Sequence, residues 1–185
     1  MMLKLDPIWQ PDTQQANFRL LLDAMAHPGC CYELNAVLIK GLTALPVLAT
    51  LLDAEVSLAD PYNLLREKDW SMLQAKTALP AQADYILCNG SHVPNFAPKL
   101  GALPCPEQSA TLLLTIDQIG HGDINIKLSG PGIQGFESLA IKGLLPQWLL
   151  KREEWVSSFP LGVDLMLIAG CQVIAIPRST KVEIM

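Results

Sequence analysis

Charge and grouped metal ligands are scarce in this sequence of 185 residues. Charged residues make up only 17%, with 13 Lys and Arg against 18 Asp and Glu, a formal net charge of -5. Nucleic-acid affinity rests on clustered Lys and Arg, and no basic stripe interleaved with aromatics occurs, so a phosphate-backbone binder is excluded. Also missing is any charge-free run long enough to cross a bilayer. Met1 to Trp9 carries Lys4, Asp6 and Pro7 where a secretory leader needs an apolar stretch, so a cytoplasmic chain without membrane contact is expected. The five cysteines, Cys30, Cys31, Cys88, Cys105 and Cys171, lack paired C-x-x-C spacing, and His27, His92 and His121 are scattered. Structural zinc is not expected. The adjacent Cys30 and Cys31 admit a redox reading, but buried thiols filling small core sites are the commoner one.

What the chain has in quantity is apolar material, 50% of its residues. That suffices to bury the core of one α/β domain over 1–185. It is apolar for a soluble chain and hints that a partner covers some surface.

Pro11 to Gln15 looks like a helix start, with Asp12 and Gln15 at capping-box spacing and Phe18, Leu21, Leu22 and Met25 on one face. His27-Pro28-Gly29 ends it. Arg19 and Asp23 read as a solvated pair one turn apart. A second helix begins with Thr43 as cap, takes Pro46 in its first turn and buries Leu45, Leu48, Leu51 and Leu52. Glu55 to Ala59 reads as a strand, and Asp60-Pro61 as a cap and proline opening a third helix to Lys68. Trp70 to Pro80 is ambiguous. Asp84 to Cys88 is a strand ended by Asn89-Gly90-Ser91. Pro94 to Pro106 is connecting material. Ala110 to Ile116 and Asp123 to Leu128, separated by Gly120-His121-Gly122, read as a β-hairpin. Pro146 opens a helix with Trp148, Leu149, Arg152, Trp155 and Val156 on one side. Val163 to Ala169 and Cys171 to Ile176 form a second hairpin about Gly170, closed by Pro177. This order implies a mixed sheet with helices packed against it.

Chemistry is harder to find. Ser129-Gly130-Pro131-Gly132-Ile133 is the best candidate for a phosphate-cradling turn, yet it matches neither Gly-rich fingerprint, and a tight structural turn is the commoner reading. No Schiff-base lysine for pyridoxal phosphate stands out among Lys40, Lys76, Lys99, Lys127 and Lys142. Asp23, Asp53, Glu55, Glu107 and Asp164 stand singly, as caps, turn residues or surface charges. Ser109 lacks the G-x-S-x-G elbow. Arg178 suits an anion contact, but an inter-strand or partner ion pair is commoner at a strand end. No catalytic, cofactor-binding or metal residue is assigned.

Six segments in fixed order resemble the PhnH family. They are Phe18 to Gly29, Leu51 to Glu55, Pro106 to Thr111, Leu128 to Ile133, Phe159 to Leu165 and Ile176 to Thr180. The sequence departs from the family at Leu73 to Ala78, where Lys76 stands in place of a histidine, and between Asn89 and Pro104. The resemblance implies a three-layer α/β/α fold with a mixed sheet, similar to the large domain of pyridoxal-phosphate-dependent transferases but without the cofactor or its lysine. It implies an accessory subunit of the carbon–phosphorus lyase core complex, with PhnG, PhnI and PhnJ as partners and a homodimer when isolated. With PhnL, that assembly attaches a phosphonate to the ribose C1 of ATP and displaces adenine, giving ribose 1-phosphonate 5-triphosphate. The bond is broken later by the radical chemistry of PhnJ, whose iron–sulfur cluster this chain lacks the grouped cysteines to bind. The alternatives are a nucleotide- or phosphonate-binding subunit using Gly130-Pro131-Gly132 and Arg178, and a degenerate pyridoxal enzyme. Trp148 and Trp155 suit interface anchors or core positions equally.

Overall fold

The computed structural model describes residues 6–35 and 42–185. Lys40, weighed above as a Schiff-base lysine, lies outside them. Among the described residues there are four α-helices and ten strands, in two sheets.

The helix α1 (Pro11–Ala26) starts where proline at the first helical position fits, since its missing N–H had no partner to lose. The expected capping box does not form: Gln10 is the cap, without a side-chain bond, and Asp12 lies in the first turn. The buried face is also rotated. Asn17, Leu21 and Ala24 point inward, while Phe18 and Leu22 are exposed. Asn17 earns its buried place by bonding both backbone groups of Asn35, accepting from its N–H at 2.8 Å and donating to its carbonyl at 3.4 Å. Arg19 and Asp23 are not among the ion pairs within 4 Å.

The large sheet has seven strands. Tyr32–Glu33 (β1) is followed, after α2 (Leu45–Leu51), by Ser57–Ala59 (β2) and, after α3 (Glu67–Leu73), by Lys76–Thr77 (β3), Tyr85–Asn89 (β4) and Thr111–Thr115 (β5). Ahead of α2, Ala44 rather than Thr43 is the cap. The expected helix from Asp60 starts late. The Asp60 carboxylate accepts from the amides of Leu64 and Leu65, which makes a turn, and winding begins only at Glu67.

The chain then leaves the sheet. Gln118–Ser129 (β6) pairs antiparallel with Glu137–Lys142 (β7) and with the final strand Lys181–Ile184 (β10), forming a separate three-stranded sheet. The expected hairpin of Ala110–Ile116 with Asp123–Leu128 is therefore not formed. Gly120-His121-Gly122 is an irregularity inside one twelve-residue strand, where the pairing with Ile141 shifts from Ile119 to Ile124. A side chain at Gly122 would collide with the Ile141 carbonyl, so glycine is required there for close backbone approach. After α4 (Pro146–Val156), the chain returns as Asp164–Ala169 (β8) and Gln172–Ile176 (β9), the hairpin expected about Gly170.

The order β1-β9-β8-β5-β4-β2-β3 has parallel neighbours from β8 to β3 and antiparallel ones from β8 to β1, so the sheet is mixed. Its strands are apolar on both faces, and the period of two divides them. Ile86, Leu112, Leu114, Leu165, Leu167 and Ile174 belong to one core, with Trp148 of α4 and Ile126, Leu128 and Ile141 of the small sheet. Leu87, Leu113, Met166, Ile168 and Val173 belong to the other, with Leu21, Val47, Leu48 and Leu73 of α1 to α3. Helices cover one face, as expected. The other is covered by one helix together with the small sheet, of which the sequence reading had found only part of β6 and placed it in a hairpin of the main sheet, while β7 and β10 were not expected.

Candidate functional site

Five of the six resemblance segments meet around one corner, and Arg178, itself in one of them, binds two others. At the amino-terminal end of β8, Asp164 accepts from the Arg178 backbone N–H at 2.7 Å and takes two further bonds from its guanidinium, Nε to Oδ1 at 3.2 Å and Nη2 to Oδ2 at 2.5 Å. Nη1 donates to the carbonyls of Pro106 at 2.7 Å and Pro160 at 3.5 Å. Both side chains are largely buried. The forked guanidinium matches a carboxylate on one edge and reaches carbonyls from other segments with the rest. Every nitrogen of Arg178 is thereby used, with four of the five guanidinium N–H groups engaged, which is the inter-strand ion pair weighed above and leaves one N–H on Nη2.

The fourth segment is the glycine turn. Gly132 has a positive φ of 81°, and a side chain on it would collide with the Ala26 carbonyl and the Pro28 ring. The turn lies with its backbone against the end of α1, and its shape serves close packing. Gly29 joins the corner by donating to the Ala175 carbonyl of β9 at 3.4 Å. The Gly130-Pro131-Gly132 segment thus belongs to the seam between helix and sheets.

A cleft of about 400 Å³ opens beside this corner, between α4 and β10, lined in part by Arg152, Val156, Thr180, Lys181 and Ile184. Arg152 is only 2% exposed. Its Nη2 donates to the carbonyls of Pro177 at 2.6 Å and Thr180 at 2.9 Å, while Nε has no partner. No carboxylate lies within ion-pair distance of it among the described residues. Burial pulls its pKa down to about 10, with the Asp164 carboxylate acting in the opposite direction. It stays charged at neutral pH. The Thr180 hydroxyl, also buried, lacks a partner too. Sequence reading put Arg152 on the packing face of its helix and missed this feature, because its partners are carbonyls 25 and 28 residues away.

The remaining candidates are dispersed. Lys99 pairs with Asp84 at 2.8 Å, Lys127 lies 4.6 Å over the Phe136 ring, and Lys76 and Lys142 are exposed. Burial alone would raise the Asp84 carboxyl, but hydrogen bonds from Lys99 and from the Ser57 hydroxyl and amide outweigh it and hold it below the ordinary range. Asp53 caps a turn by accepting from the Glu55 amide, and Glu107 is exposed on a single turn of 3-10 helix. Asp23 contributes its carbonyl, which lies 3.0 Å from His27 Nδ1. Ser109 is buried, and its hydroxyl has no hydrogen-bond partner. Among the described residues no group of three or more His, Cys, Asp or Glu is placed to hold a metal ion. Cys88 is buried, but Cys30 and Cys31 are exposed, which corrects the buried-thiol reading for that pair.

Trp148 is fully buried and Trp155 nearly so, which settles their choice between core and interface in favour of the core. Phe96 stacks on Trp155 at 6.2 Å and tilts against Trp148 at 6.1 Å. It thereby ties the departing stretch Asn89 to Pro104 onto α4. The other departure, Leu73 to Ala78, carries Lys76 on the edge strand β3.

No helix among the described residues is long and apolar enough to cross a membrane. A family model described as bacterial phosphonate metabolism protein (PhnH) matches residues 8–183. A protein of Stutzerimonas stutzeri named as C-P lyase subunit protein HtxG is 38% identical over 177 residues, covering 96% of this chain and 89% of that protein. The alpha-D-ribose 1-methylphosphonate 5-triphosphate synthase subunit PhnH of Rhizobium meliloti (strain 1021) is 29% identical over 193 residues, covering 96% and 92%.

Proposed function

The chain belongs to the PhnH family of bacterial phosphonate metabolism, and from that premise we propose that it is an accessory subunit of a carbon–phosphorus lyase core complex. In this reading it assembles with PhnG, PhnI and PhnJ, works with PhnL, and is needed for transfer of a phosphonate to the ribose C1 of ATP without carrying out that chemistry itself. The observation that carries the proposal is similarity over nearly the whole chain to two proteins named as subunits of such systems. The geometry adds support. Parallel α/β sheets place ligands outside the carboxyl ends of their strands. Here five of the six resemblance segments gather toward the opposite end, where Arg178 ties Asp164 to the carbonyls of Pro106 and Pro160.

The likeness to the large domain of pyridoxal-phosphate transferases and a homodimer of the isolated chain belong to the same proposal. The first is supported by a mixed sheet covered on both faces. The test is reconstitution of the transferase from purified subunits with ATP and methylphosphonate, with and without this chain. Turnover is expected only when it is present among its partners. Turnover by this chain alone would sink the accessory reading.

A further inference from the structure

Of the four buried side-chain polar atoms left without a hydrogen bond among the described residues, two, Arg152 Nε and Thr180 Oγ1, belong to residues lining the same cleft. Burying a guanidinium is costly unless an anion and hydrogen bonds compensate it. Arg152 has two carbonyls and no carboxylate at bonding distance. Asp164, whose field reaches it, is already bonded to Arg178.

A second cleft, of about 350 Å³, runs on from the first, sharing Val156, Thr180 and Lys181 and adding Pro131, Phe159, Ser179 and Arg178, whose guanidinium is engaged by Asp164. The Lys181 ammonium on the rim is 2.9 Å from Glu183 but mostly open to water. Glu153 and Glu183 also line the first cleft and work against an anion there, but Glu183 is held by Lys181, and the guanidinium at the base, the hydroxyl beside it and the ammonium at the rim make a donor set suited to an anion with several oxygens. The apolar flank of Val156 and Phe159 leaves room for an organic substituent.

We infer that the cleft between α4 and β10 binds a small phosphate- or phosphonate-type anion, held by Arg152 and Thr180 and drawn in by Lys181. The inference goes beyond the subunit role and places the anion on neither Gly130-Pro131-Gly132 nor Arg178. Its failure would leave that role untouched.

The full chain is titrated with inorganic phosphate and, separately, with methylphosphonate at constant ionic strength set by chloride, following melting temperature and heat of binding. A saturable rise in melting temperature is expected for wild type. Thr180→Val should weaken binding several-fold and Arg152→Lys roughly tenfold, the worth of a charged hydrogen bond. Arg152→Met should abolish it, and if that variant fails to fold, the other two decide. Lys142→Ala, at an exposed position away from the cleft, serves as the control and should bind like wild type. Absence of any saturable shift in the wild type, or equal shifts in wild type, Thr180→Val and Arg152→Lys, would overturn the assignment.

Discussion

Replacing Arg178 by alanine removes the side chain that joins the segments around Pro106, Pro160 and Asp164. Breaking a buried ion pair by deleting one partner costs about 3–5 kcal/mol, chiefly because the other charge is left uncompensated. Asp164 would keep its bond from the backbone N–H of residue 178, and 12% of its side chain is open to water. The expected loss is therefore at the lower end, about 3 kcal/mol. For a chain of this size that lowers the melting temperature by roughly 6–12 °C. Arg178→Lys keeps a charge but not the fork and should lose about half as much. Urea denaturation of both variants, and of Asp164→Ala alone and combined with Arg178→Ala, measures the pair directly. A coupling of at least about 1.5 kcal/mol is expected. A loss below about 1 kcal/mol in Arg178→Ala, with binding to partner subunits abolished, would refute the clamp and make Arg178 a contact residue.

The two glycines make a matched pair of tests. Gly132→Ala forces a left-handed residue and a collision with the Ala26 carbonyl, so a loss of roughly 2–4 kcal/mol is expected. Gly120→Ala, with similar φ but nothing within 4 Å, should lose only about 1 kcal/mol in the same urea experiment. Timed alkylation of the native protein should label Cys30 and Cys31 and spare Cys88, whose thiol burial pushes well above its ordinary value; early modification of Cys88 would contradict the packing of β4. Burial, helped by Cys88, pushes the Tyr62 phenol up to about 12. Its unfolded value is about 10, so the unfolded chain ionises first, and its contribution to stability, full below pH 10, should fall between about pH 10 and 12. Ultraviolet titration of Tyr62→Phe against wild type should remove the latest-ionising tyrosine.

The central strands β4, β5 and β8 were legible because their runs are dense in Leu and Ile, the two-residue β3 was not, and three helix starts were legible because proline marks the first turn at Pro11, Pro46 and Pro146. The errors share a cause. Gly120-His121-Gly122 fits a hairpin turn and a bulge alike, since both need glycine with positive φ, and only the pairing with β7 decides. Asp60-Pro61 looks like a helix cap because its carboxylate does take amides, but in a turn that does not continue. The face of α1 was misread because hydropathy favours Phe18 over Asn17, whereas Asn17 satisfies the backbone of Asn35. At the corner site, the ion-pair role of Arg178 and the packing role of Gly132 were weighed from local rules. The shortage of partners at Arg152 was hidden, being a property of two distant segments brought together.

The most direct test of the subunit role is co-expression of this chain with tagged PhnG, PhnI and PhnJ from the same source, followed by affinity purification and mass determination. Stoichiometric recovery of this chain in the eluted assembly is the predicted result. Recovery of the other three as an intact complex without it would contradict the account.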